Sequence, residues 1–99
     1  MFLAVPPAVW LPTQSVESAL NQEVVLSCHI EAFPSSVNYW IKESSGKIIE
    51  SDNDKYLVQQ ETKDYKTHLI LKIRRLEKAD FGLYTCLVRR TFVVCFLLF

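Results

Sequence analysis

Cys28, Trp40 and the run Asp80-Phe81-Gly82-Leu83-Tyr84-Thr85-Cys86 occur in that order, and their spacing leaves few folds open. A tryptophan 12 positions after one cysteine, and a tyrosine two positions before another, mark a two-sheet antiparallel sandwich with a disulfide between its sheets. In such a fold Trp40 packs beside a Cys28–Cys86 bridge. Tyr84 shares the core face of Cys86, because side chains two apart on a strand point the same way. Its hydroxyl is expected to reach back to backbone near Asp80. A bridge across 58 positions contributes about 4 kcal/mol on the chain-entropy argument, a large share of the ~5–15 kcal/mol of a typical domain.

A seven-strand sandwich of the immunoglobulin type takes about 100 residues, so 99 residues hold one domain and no second core. Eleven basic and 11 acidic residues cancel to a net charge of zero, which sets no field for nucleic acid or an anionic membrane. Three cysteines without a C-x-x-C pair read as one bridge and one spare thiol, Cys95, rather than as a zinc or redox centre. A structural disulfide points to an oxidising compartment. Against this, Met1-Phe2-Leu3-Ala4-Val5 has no basic start and its apolar run stops at Pro6, so no signal peptide is expected in this chain. Either the true start lies upstream or the chain is not exported.

Residues 1–12 read as a proline-rich linker leading into an edge strand, because Pro6, Pro7 and Pro12 cannot donate to a ladder. The domain proper is expected over 13–90. Val24, Leu26, Cys28 and Ile30 alternate with Val25, Ser27, His29 and Glu31 over a strand from Gln22 to Glu31. A strand from Val37 to Glu43 carries Trp40, with Asn38 on the same face; a bulge that swings Val37 inward is the favoured resolution, a buried partner for the amide the other. Short strands follow over Lys47 to Ser51 and Lys55 to Gln60. Thr67 to Arg74 turns Leu69, Leu71 and Ile73 inward, and Leu76 plugs the end of the core. Residues 91–99, Thr-Phe-Val-Val-Cys-Phe-Leu-Leu-Phe, have no polar face and follow a connection without Gly, Asn or Asp. They read as an aberrant closing strand (strand G in the usual lettering), as the product of a misread or truncated gene end, or as a membrane-associated tail. At nine residues they fall short of the roughly 20 that span a bilayer. The fold class is therefore all-β, an immunoglobulin-like Greek-key sandwich with strand G in doubt.

Pro6-Pro-Ala-Val-Trp-Leu-Pro-Thr-Gln14, Cys28-His-Ile-Glu-Ala-Phe-Pro34, Asn38-Tyr-Trp-Ile-Lys42, Lys55-Tyr56, Tyr65-Lys-Thr67 and Asp80-Phe-Gly82 together resemble the third immunoglobulin domain of the lachesin and Dpr-interacting-protein family. These are three-domain neuronal surface receptors of the insect lineage, related to the vertebrate IgLON adhesion proteins. The resemblance covers about residues 5 to 88. It implies an I-set domain in the membrane-proximal position, with the partner-binding face on the first domain. Beyond Cys86 the chain departs from the family, with Arg89-Arg90 and the apolar tail in place of a glycine-containing hairpin. The resemblance thus implies an adhesion receptor of the extracellular plasma-membrane face for the parent protein, and a spacer for this piece. Its partners would be other cell-surface immunoglobulin proteins, through the parent receptor, and neighbouring domains in tandem.

The remaining candidates divide by chemistry. Asp80 at the corner before the strand of Cys86 is expected to pair with Lys55, and Gly82 to carry the chain around that corner. Leu71, Trp40 and Tyr84 complete the core signature. Trp10 either packs against a preceding domain or covers the end of this core. His29 and His68 are expected on outward faces of different strands with no acid or thiol at ligand spacing, so no metal, cofactor or small-molecule site is expected. No nucleophile, base and orienter come together, so no enzyme is expected. Arg74-Arg75 and Arg89-Arg90 are either a contact patch or an edge device against aggregation. Asn21, Asn38 and Asn53 all lack Ser or Thr two positions on, so no N-glycan is expected. The rival functions are an intracellular I-set module of the muscle-filament kind and a non-functional truncated fragment.

Overall fold

Strands whose two faces differ in polarity can stack in only one way, apolar face to apolar face, and the chain does so in two sheets. The computed structural model describes residues 5–12, 14–33, 38–52, 54–88 and 91–98. In chain order the strands are β1 (Val5–Trp10), β2 (Ser15–Glu17), β3 (Val24–Phe33), β4 (Asn38–Lys42), β5 (Lys47–Ile48), β6 (Tyr56–Lys63), β7 (Lys66–Ile73), β8 (Gly82–Val88) and β9 (Thr91–Leu98). One sheet runs β1-β3-β7-β6 and the other β2-β9-β8-β4-β5. All neighbours are antiparallel except β2 and β9, which run parallel. The first strand region therefore serves both sheets, β1 on β3 and β2 on β9.

The core lies between the sheets. Val24, Leu26, Cys28 and Ile30 of β3 and Leu69, Leu71 and Ile73 of β7 face Trp40 of β4 and Tyr84, Cys86 and Val88 of β8, with Leu76 sealing one end. Pro6 and Pro7 sit inside β1, not ahead of it. The strand is an edge, and the register shifts between Val5 and Ala8, which absorbs residues without an N–H. The register from Asn38 to Lys42 against β8 is unbroken; Asn38 is half-buried, and the expected bulge at Val37 falls outside the described residues.

Several elements differ from the sequence expectation, among them β5, which ends at Ile48 rather than at Ser51. The hairpin of β6 and β7 extends to Lys63 and Lys66, beyond the expected stop at Gln60, because residues 59–66 are exposed. A strand end with water on both faces carries no alternation to read. The last segment forms a strand: Thr91–Leu98 is β9, paired with β8 from Gly82↔Leu97 to Val88↔Thr91 and with β2 on its other edge. Cys95 and Leu97 are buried in the core while Phe96 and Leu98 are exposed. The alternation is therefore present in space although both faces are apolar in composition.

Candidate functional site

The bridge and its packing come first, because every other position is set from them. Cys28 and Cys86 are disulfide-bonded with Cα atoms 6.5 Å apart, joining β3 of one sheet to β8 of the other. Trp40 pairs with Cys86 across β4 and β8 and is fully buried. Its Nε1 has no hydrogen-bond partner among the described residues, so the indole acts there through volume and apolar contact. Leu71 is fully buried on β7.

The corner before β8 gathers the charged candidates. A short 3-10 turn, Lys78–Asp80, carries Asp80 into a buried position. Lys55 Nζ lies 2.6 Å from Asp80 Oδ2 and also donates to the Arg75 carbonyl at 2.8 Å. Glu77 N–H donates to the same carboxylate oxygen at 2.7 Å. Lys42 Nζ stands 3.8 Å from Oδ1, a second cation that sequence spacing alone did not reveal. The Tyr84 hydroxyl donates to the Asp80 carbonyl, and burial, with Tyr56 and Asp80 adding to it, pushes its pKa well above the ordinary phenol value. Gly82 has φ of 136°, a conformation a side chain strains to adopt. Asp80 is thus occupied as a structural acceptor.

The two outer faces differ in chemistry. On the β2-β9-β8-β4-β5 sheet, Leu83 pairs with Phe96 across β8 and β9, and both are exposed. On the β1-β3-β7-β6 sheet Trp10 is 43% exposed. It does not cover the core. Its indole stacks on His29, with centroids 5.9 Å apart and planes at 19°. His29 and His68, expected as separate surface residues, are directly paired across β3 and β7 with ring centroids 4.2 Å apart. Burial, helped by the neighbouring His68, lowers the His29 pKa from its ordinary value. The signal that could have found this pair is the register itself: once Cys28 faces Leu69, His29 must face His68. Arg74 lies 3.8 Å from Glu23, and Arg75 lies 2.5 Å from Asp54, so both are engaged in surface ion pairs; Arg89 and Arg90 lie outside the described residues. Cys95 is a buried cysteine outside the disulfide, and burial raises its pKa.

A disulfide between two packed sheets, a buried tryptophan beside it and a tyrosine tying the corner define a sandwich of the immunoglobulin class. The chain belongs to the immunoglobulin-domain family: the family model described as "Immunoglobulin domain" matches residues 6–89. It is 34% identical over 82 residues to Synaptogenesis protein syg-1 of Caenorhabditis elegans, covering 82% of this chain and 11% of that protein. To Lachesin of Drosophila melanogaster it is 31% identical over 81 residues, covering 81% of this chain and 22% of that one. The crystal structure of Dpr2 Ig1-Ig2 in complex with DIP-Theta Ig1-Ig3 superposes with a TM-score of 0.88 at 31% identity, over 96% of this chain and 32% of that chain. Domains A168-A170 of titin share the fold, at a TM-score of 0.79 and 20% identity over 98% of this chain and 32% of that chain. No helix among the described residues is long and apolar enough to cross a membrane.

Proposed function

We propose that this chain is a non-catalytic I-set module of a neuronal cell-surface recognition receptor, in the third, membrane-proximal position, where it spaces the partner-binding first domain from the membrane. The observation that carries this reading is the likeness to the Dpr–DIP complex chain across 96% of the residues at 31% identity, with similar identity to Lachesin. The split of the first strand region between both sheets, and the single short strand β5 beside β4, support the I-set assignment. Trp10, at the end of β1 and exposed, is the residue through which the module would meet the domain before it. Its partners are then neighbouring immunoglobulin domains in tandem and, through the parent receptor, other cell-surface immunoglobulin proteins.

The test is the redox and topological state of the protein in its own cells. Free thiols are blocked with a membrane-impermeant reagent on intact cells, then with a permeant one after lysis, and the cysteine peptides are read by mass spectrometry. The reading predicts Cys28 and Cys86 bonded in protein that surface-directed biotin also labels. Reduced cysteines in protein shielded from the biotin would overturn it in favour of an intracellular structural module.

A further inference from the structure

The outer face of the four-stranded sheet brings together chemistry that a spacer does not require. The pairing of β1, β3, β7 and β6 places Trp10, His29, His68 and Glu61 in one row across the sheet. The His29 and His68 imidazoles are 4.2 Å apart, centroid to centroid, with planes tilted by 60°. His29 is held on its other side by the Trp10 indole. The rings border a concavity of about 190 Å³ lined by Trp10, His29, Ile30, Glu31, Lys66 and His68.

Two imidazoles bound to one metal ion, with metal–nitrogen distances of about 2.0–2.1 Å, have their centroids about 4.5 Å apart at a right angle, as on square-planar or octahedral Cu²⁺ and Ni²⁺, and about 5.2 Å apart at the tetrahedral angle of Zn²⁺. The observed 4.2 Å stands close to the right-angle spacing and about 1 Å inside the tetrahedral one. Rings that are tilted, rather than stacked face to face, can each turn a nitrogen toward a common point by rotation about χ1 and χ2. The backbone cost is already met, because both residues sit on paired strands next to Cys28 and Leu69 in the core.

We propose that His29 and His68 form a two-imidazole binding site for a first-row transition-metal ion, open on its outer side to water. Affinity should follow Cu²⁺ above Ni²⁺ and Zn²⁺, as imidazole sites do. Among the described residues no group of three or more His, Cys, Asp or Glu side chains is arranged to hold a metal, so the protein supplies two ligands. The charged neighbours are balanced: Glu31 and Lys66 line the concavity, and Glu61 and Lys63 sit beside it on β6. An ion bound there would clip β3 to β7 and stabilise the folded state by mass action.

Isothermal titration of the oxidised domain with Zn²⁺ and with Ni²⁺ tests this, because neither ion oxidises the Cys95 thiol. NMR spectra at substoichiometric Ni²⁺ read the location. The expected result is one site per chain, a rise in melting temperature with ion concentration, and paramagnetic broadening of the His29, His68 and Trp10 ring signals ahead of all others. His29→Ala and His68→Ala should each weaken binding roughly tenfold or more. A His29→Gln, His68→Gln pair, which keeps polar side chains on the face, should abolish it if either alanine variant fails to fold. Absence of binding, or unchanged affinity in the folded variants, overturns the proposal, as does broadening that begins elsewhere.

Discussion

Asp80 and Asp52 show how a single carboxylate organises a loop. Asp80 is buried with one cation at 2.6 Å and a second at 3.8 Å. Removing the nearer cation leaves a buried anion short of a partner, which costs about 1–3 kcal/mol. Lys55→Met is expected to lower unfolding free energy by that amount in urea titrations, with the loss coupled to Asp80 in a double-mutant cycle. Asp52 accepts the backbone N–H groups of Asp54, Lys55 and Tyr56 at 2.9, 2.8 and 2.9 Å. These bonds, that of Tyr56 first, hold its carboxyl below the ordinary carboxylate pKa. The native state therefore resists protonation longer than the unfolded chain does. The stabilisation is complete above the unfolded value, about pH 4, and is lost as pH falls through the lower folded one. Asp52→Asn should flatten the acid limb of a stability-versus-pH curve below about pH 4; an unchanged limb would remove Asp52 from that role.

The decisive element is β9. Its eight residues, Thr91–Leu98, complete the second sheet by pairing β8 on one edge and β2 on the other. Only geometry separates its faces: Leu97 is 1% exposed and Phe96 is 39% exposed. Leu97→Ala is expected to cost about 2–5 kcal/mol, as a buried leucine deletion does. Phe96→Ser should cost less, about 1 kcal/mol, from strand propensity and the lost pair with Leu83. Equal losses at the two positions in denaturant titrations would contradict the assigned faces. The β6–β7 hairpin is the opposite case, a pair of strands held by ladder bonds past the point where residues 59–66 leave the core. Its tip is expected to open first in hydrogen exchange.

At the scale of the whole molecule, the bridge sets how tightly the two sheets are tied. Cys28 and Cys86 are 58 positions apart, so opening the bond frees a long loop in the unfolded state. Cys28→Ala with Cys86→Ala is expected to lose about 4 kcal/mol of unfolding free energy. A domain at the weak end of a reserve of about 5–15 kcal/mol would then keep only about 1 kcal/mol at ambient temperature. Guanidinium titration of the oxidised protein and the double variant measures the difference.

The core of this fold was legible in the linear order of residues, because the alternation of Val24 to Ile30 and of Leu69 to Ile73 and the Cys28–Trp40–Tyr84–Cys86 framework are signals that neighbouring positions carry by themselves. The last strand was not legible in the same way. Thr91–Leu98 is apolar on both faces, so period and composition could not say which side faced inward; that choice was made by pairing with β8 and β2. The same holds for Lys42 at Asp80, His68 at His29 and Trp10 over His29. These meet across strands far apart in sequence, and no local pattern encodes a register. Sequence alone therefore determined the sandwich, its bridge and its inward residues through period and spacing, whereas the outward rows, the completed second sheet and the two-histidine face were decided only when strand pairing brought distant positions together.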